Sequence, residues 1–263
     1  MSELDINWTQ LIETALTAPG NLGNTYNRFY EYSYLNQILL LWQGVTEPVA
    51  TYNRWQALGR QVKKGAKAKF VNVPIPITRK DDQGTVTERF TIFKLKKGPF
   101  VYSDTEGPEL PPVEVPGFDL DTALFELGIS KVPFTSTDGN TQGYSSGHEY
   151  AINPVAANPT ATTFHELAHI VLGHTAPDQN VEYQLHRGVK EFQAEATAYL
   201  VLHELERLDE RTASKSRAYI QHWLSQGSEA PSDTDIRQVF QAATKILKAG
   251  RKAAASTPQA VAA

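Results

Sequence analysis

Apolar positions in the first hundred residues follow helical spacing and then change to strand-like spacing. Leu4, Trp8, Leu11, Ile12, Ala15 and Leu16 recur every three or four residues, which predicts an amphipathic helix over residues 4–18 ended by Pro19-Gly20. Tyr34, Leu35, Ile38, Leu39, Leu41 and Trp42 predict a second helix near residues 33–43, stopped at Gly44, and Thr51 to Leu58 a short third, stopped at Gly59. Ala68 to Ile77 and Glu88 to Leu95 then read as two strands flanking a polar hairpin at residues 79–84. These elements predict a small α+β module.

A Pro-rich, acidic stretch at residues 104–117 interrupts the pattern and reads as an interdomain linker. Beyond it the spacing predicts a helix at Leu120–Leu127, short strands around Gly143 and Tyr150, and a helix after Asn158-Pro159-Thr160. Further helices are expected from about Lys190 to Leu208, over residues 212–225 and over residues 233–249, with Ser232 or Asp233 as the last N-cap. Residues 253–263 read as a frayed tail, and no internal repeat is found. The expected organisation is a module at residues 1–105, a linker at 106–117, a mostly helical domain with a small sheet at 118–253, and a flexible tail at 254–263.

At 263 residues, 41% hydrophobic and 21% charged, the composition is that of a globular chain with room for two cores. The absence of Cys excludes disulfides, thiolate zinc sites and cysteine nucleophiles. The acidic start and the lack of any long apolar run lead us to expect a cytoplasmic protein with no membrane partner. The net charge of −4 conceals a polarity: residues 54–97 hold twelve Lys and Arg against Asp81, Asp82 and Glu88 alone, whereas the C-terminal half is acidic. A basic N-terminal half suits a polyanion, and a solvated charged surface is the plainer alternative.

Aromatic and basic residues interleave across that half: Tyr26, Arg28, Phe29, Tyr30, Tyr32, Tyr34, Trp42, Tyr52, Arg54, Trp55, Arg60, Lys63, Lys64, Lys67 and Lys69. Cations that track phosphates, beside aromatic faces that stack on unpaired bases, suit single-stranded DNA. The candidate contacts are Arg54, Arg60, Lys63, Lys64, Lys67, Tyr32 and Trp55. Tyr34, Trp42 and Trp55 also fall on apolar helical faces, where a core role competes with a stacking role.

The densest chemistry lies at His165-Glu166-Leu167-Ala168-His169. On a helix, i and i+4 share a face, so His165 and His169 can hold one Zn²⁺ while Glu166 acts as general base on the metal-bound water. A catalytic zinc takes a third protein ligand. His174 lies one residue short of the metzincin spacing, and Met1 is the only Met, so no Met-turn can follow. Glu191 and Glu195, one helical turn apart, are better placed. Glu191 would bind the metal and Glu195 would accept the free N–H of a ligating His, or the two would exchange roles. Tyr199, His186 and His203 are oxyanion donors by type, and His148 is either a turn residue or part of a substrate cleft.

HELAH followed by Glu191-x-x-x-Glu195 resembles the gluzincin arrangement, which implies a zincin-like metallopeptidase fold. Residues 144–154 resemble the strand that precedes the active-site helix in ArdC-, ImmA- and SprT-type proteins. Residues 32–40, and Trp55-x-x-x-Gly59-Arg60-x-Val62-x-Lys64-Gly65, are similar to the N-terminal domain of ArdC-type antirestriction proteins. That resemblance implies a single-stranded DNA-binding domain joined to a zinc metallopeptidase domain, borne on mobile elements, with a protein or peptide substrate that can itself be DNA-bound. It leaves two alternatives: a DNA-binding shield with a structural or inactive zinc site, and a SprT-like protease for DNA–protein crosslinks.

Overall fold

Helix α1 (Trp8–Thr17) begins where Asn7 accepts a hydrogen bond from the Gln10 N–H, and its apolar stripe of Leu11, Ile12, Ala15 and Leu16 is buried. The computed structural model describes residues 6–18, 32–80, 82–83, 85–110, 116–138, 140–176, 187–227 and 230–251; the expected tail, Tyr26, Arg28, Phe29, Tyr30 and His186 lie outside them. The chain is mixed α+β and divides into two units, residues 1–6 with 25–113 and residues 7–24 with 114–263. The apolar pattern located α1 but carried no information on its partner. Rather than joining the rest of the expected N-terminal module, α1 packs in the second unit, where the Tyr199 hydroxyl donates to the Leu16 carbonyl (2.7 Å) and Arg237 lies over the Trp8 ring.

In the first unit, α2 (Tyr34–Trp42) starts on a Ser33 cap, and α3 (Tyr52–Ala57) on a Thr51 cap. Strand β1 (Val49–Thr51) pairs with β5 (Pro99–Val101), and β2 (Gln61–Val62) with β6 (Thr105–Glu106), both antiparallel. Between them runs a long two-stranded ribbon, β3 (Phe70–Lys80) and β4 (Val86–Lys97); β3 begins and ends later than the alternation predicts, and β4 extends past its expected span at both ends. A ribbon edge exposes unpaired backbone groups. Two side-chain amides, Asn36 on α2 and Gln43 at its C-terminal cap, cover that of β3: Asn36 exchanges two hydrogen bonds with the Asn72 backbone (2.9 and 2.7 Å) and Gln43 two with Phe70 (2.9 Å each). Leu40, Val45, Val49, Val71 and Val101 form the core beneath them.

In the second unit, α4 (Leu120–Leu127) is capped by Asp119 and ends at Gly128 in a left-handed conformation. A three-stranded sheet follows in the order β7 (Ser130–Lys131), β9 (Glu149–Ile152), β8 (Gly143–Ser146); β8 is antiparallel to β9 and forms an edge. Its Gly143 is required: a Cβ there would meet Thr162 Cγ2 at 2.7 Å and the Ala151 carbonyl at 3.0 Å, so the strand could not lie against the next helix. That helix, α5 (Pro159–Val171), has Asn158 as cap and Pro159 in its first turn. It packs on α6 (Arg187–Glu204), which in turn packs on α7 (Glu210–Leu224) and α8 (Asp233–Gly250). Ser232 and Asp235 close a capping box on α8. Among the described residues no helix is long and apolar enough to cross a membrane.

Candidate metal centre

Helical period alone brings His165 and His169 to one face of α5, and the packing of α6 against it supplies the carboxylates. The two Nε2 atoms lie 3.1 Å apart, and Glu191 Oε2 lies 3.4 Å from that of His165 and 3.7 Å from that of His169. Tetrahedral coordination at zinc bond lengths of about 2.0–2.1 Å requires ligand atoms about 3.3–3.4 Å apart. The measured triangle brackets that spacing, so these three donors fit a small divalent ion and leave a fourth vertex for water.

Glu195 stands one turn further along α6 and meets the other side of His165, with Oε2 3.2 Å from Nδ1. Its second oxygen accepts from the Ser216 hydroxyl on α7 (2.5 Å). Burial opposes a charge on His165, yet the hydrogen bonds of Glu191 and Glu195 and their charges outweigh it and push the pKa up to about 10. Burial likewise opposes the Glu195 carboxylate, but His165 and Ser216 hold its pKa below the usual value. A cation entering this cluster would therefore have to displace a proton from His165.

Glu166 is 8% exposed and its Oε2 accepts from Ser145 Oγ on the edge strand β8 (2.7 Å). One carboxylate oxygen is thereby held in place from the strand. A cleft of about 430 Å³ opens between β8 and the helices, lined by Gly143, Ser145, His165, Glu166, His169 and Glu191 among others. Sequence reasoning missed Ser145 and Ser216. Strand alternation could have signalled the first, since Gly143 and Ser145 share a face.

His174 is buried, and its Nδ1 faces Nδ1 of His169 rather than the ligand triangle. Burial and the neighbouring His169 push its pKa down to about 4. Two candidate oxyanion donors lie elsewhere. The Tyr199 hydroxyl is occupied by Leu16 and Arg217, and His203 stacks on the Tyr199 ring. His148 is exposed in the turn between β8 and β9, outside the cleft lining.

In the first unit the candidate DNA contacts separate into two groups. Arg54, Lys63, Lys64 and Lys67 are exposed, with Lys63 Nζ donating to the Ser103 carbonyl, and Tyr32 is half-buried. Trp55 and Arg60 require correction as nucleic-acid contacts. Trp55 is fully buried, with Nε1 donating to the Phe100 carbonyl (3.0 Å), so neither face can stack on a base. Arg60 is 5% exposed; its guanidinium lies over the Tyr102 ring and donates to the Thr105 hydroxyl and to the carbonyls of Thr105, Gly107 and Pro108. It clamps β2 to the segment after β6. A basic residue in a charged run gave no sign of this, because its partners lie some 45 residues away. Among the described residues of this unit, the most exposed aromatic faces are Tyr52, 40% exposed on α3, and Phe93, 41% exposed on β4; Phe93 was not anticipated.

Fold and site thus define a two-unit α+β protein whose second unit carries one HExxH helix and a candidate divalent-metal triad. Residues 3–101 match the family described as the N-terminal domain of anti-restriction factor ArdC. The metal-free crystal structure of antirestriction protein ArdC from plasmid R388 is 21% identical, with 94% of this chain and 96% of that chain covered and a TM-score of 0.51. Its Mn(II)-bound form is 20% identical over the same shares, with a TM-score of 0.48. No curated protein matches. The chain is thus similar to ArdC in fold, and its residues 3–101 match the ArdC N-terminal domain.

Proposed function

We propose that this chain is an antirestriction-type protein that binds single-stranded DNA through its first unit and carries a zinc-dependent peptidase site in its second. The observation that supports the peptidase reading is the convergence of three zinc-spaced donors with a braced carboxylate, Glu166, in a cleft beside β8, the edge strand among the described residues. His165, His169 and Glu191 would hold the ion. Bound there, Zn²⁺ supplies Lewis acidity, polarising a carbonyl and lowering the pKa of water toward 7. Glu166 accepts the water's proton on its unbraced oxygen and delivers it to the leaving amine. Ser145 keeps that carboxylate aimed throughout. The open edge of β8 suits an extended peptide added as a further strand.

Arg54, Lys63, Lys64 and Lys67, with exposed Tyr52 and Phe93, support the DNA reading, since phosphate attraction and base stacking need those groups at the surface. Binding DNA would concentrate the peptidase site on DNA-bound proteins, so location supplies selectivity. Glu166→Gln should retain zinc and lose cleavage of a protein presented on single-stranded DNA. If the variant cleaves as well as wild type, Glu166 is not the base. If it cleaves nothing yet protects transferred DNA fully, a DNA-binding shield is the working activity.

A further inference from the structure

His174 is the one histidine of the HELAH neighbourhood that the proposed chemistry leaves unused, although it is 8% exposed and directly behind a ligand. Its position follows from the end of α5. Gly173 adopts a left-handed φ of 80°, and the His174 N–H returns to the His169 carbonyl (2.9 Å), which folds the side chain back against the His169 ring.

The hydrogen bonds then admit one proton arrangement. His169 Nε2 faces His165 Nε2 and Glu191, so as a ligand it must present a lone pair there, and its single N–H must sit on Nδ1. That Nδ1 lies 3.0 Å from Nδ1 of His174, which must therefore accept. The N–H of neutral His174 is then on Nε2, 3.0 Å from Gln193 Oε1, an acceptor. The Gln193 amide nitrogen in turn donates to the Gln238 Oε1 (2.6 Å) and toward the Asp235 carbonyl and Oδ1 (3.3 Å each) at the start of α8. Every donor meets an acceptor along the chain. With the His174 N–H held on Nε2 by Gln193 Oε1, the opposite tautomer of His169 would leave two facing lone pairs at the Nδ1 pair and block the ligand nitrogen.

We propose that His174 is a positioning residue that, oriented by Gln193, fixes His169 in its Nδ1–H tautomer and so sets the affinity of the site for a divalent ion. The proposal rests on the metal-site reading above. It also makes the two ligand histidines unequal: His165 is backed by the Glu195 carboxylate, whereas His169 is backed by a neutral imidazole–amide relay. Removing a partner behind a ligating histidine costs about 10–100-fold in metal affinity.

The test uses the full chain, with Zn²⁺ titrated against a chromophoric chelator for wild type, His169→Ala, His174→Leu and His174→Asn. An Asn carbonyl can occupy the acceptor position of Nδ1, so His174→Asn should stay close to wild type, while His174→Leu should weaken binding by about 10–100-fold. Equal losses in the Leu and Asn variants, or a His174→Leu affinity within twofold of wild type while His169→Ala fails to bind, would overturn the relay and leave the metal site standing. Wild-type affinity in His169→Ala would instead refute the metal-site reading itself. Should His174→Leu not fold, ¹⁵N imidazole spectra of the wild-type protein decide: a proton on His169 Nδ1 supports the relay, and a proton on Nε2 alone overturns it.

Discussion

Leu11→Ala should loosen the second unit and leave the first unchanged, although Leu11 lies in the chain before most of the first unit. The side chain is fully buried on α1, among helices of the second unit. Truncating such a leucine costs about 2–5 kcal/mol, from lost burial and the cavity left behind. At about 1.4 kcal/mol per tenfold, opening of that unit becomes roughly 30-fold to a few thousand-fold more frequent. Hydrogen exchange followed peptide by peptide reads this directly, because slowly exchanging amides report the opening of their own cooperative region. Peptides from α6 (Arg187–Glu204) and α8 (Asp233–Gly250) should exchange faster by that factor, while those from α2 (Tyr34–Trp42) and the β3–β4 ribbon keep their wild-type rates. Acceleration confined to α2 and the ribbon would refute the assignment of α1.

Arg60→Met should cost the first unit several kcal/mol in thermal denaturation, since each buried carbonyl left unpaired costs about 1–3 kcal/mol. Lys64→Glu with Lys67→Glu should leave the melting temperature nearly unchanged and weaken single-stranded DNA binding in anisotropy titrations, with a shallower salt dependence. Glu195→Gln should reduce zinc affinity by about 10–100-fold and Glu191→Gln by more; the reverse order would make Glu195 the ligand. Zinc binding near pH 7 should release a proton from His165, seen as a buffer-dependent calorimetric enthalpy, and release should vanish above a pH of about 10. The sign for the metal-free protein is the opposite of that for binding. Because the folded pKa is raised from 6.5, the His165 contact stabilises the metal-free fold below pH 6.5 and is lost as pH rises through about 10.

Legibility in the sequence tracked the range of the physics. The helices at residues 34–42, 120–127, 159–171 and 233–250 were readable because their stripes, caps and stop signals are local. His165, Glu166 and His169 were readable for the same reason: i and i+4 share a face whatever surrounds the helix. Which of Glu191 and Glu195 meets the two Nε2 atoms and which meets His165 Nδ1 depends on the rotation of α6 against α5, a tertiary quantity that left both roles open in the sequence. Ser145, Ser216 and the Gln193 relay belong to that class too, each joining elements far apart in the chain. Arg60 shows how local reading misleads: a cation in a basic run looks solvated until its partners at residues 102–108 are known. Charge identified the basic unit, but not which of its cations are free to meet phosphate.

We propose that His165, His169 and Glu191 form one divalent-metal site. A zinc-loaded crystal measured on both sides of the zinc absorption edge tests it most directly. One anomalous peak should appear, bonded to both Nε2 atoms and Glu191 Oε2 at about 2.0–2.2 Å. A peak bound through His174 or Glu195 instead, or no peak at the triad at saturating zinc, would contradict it.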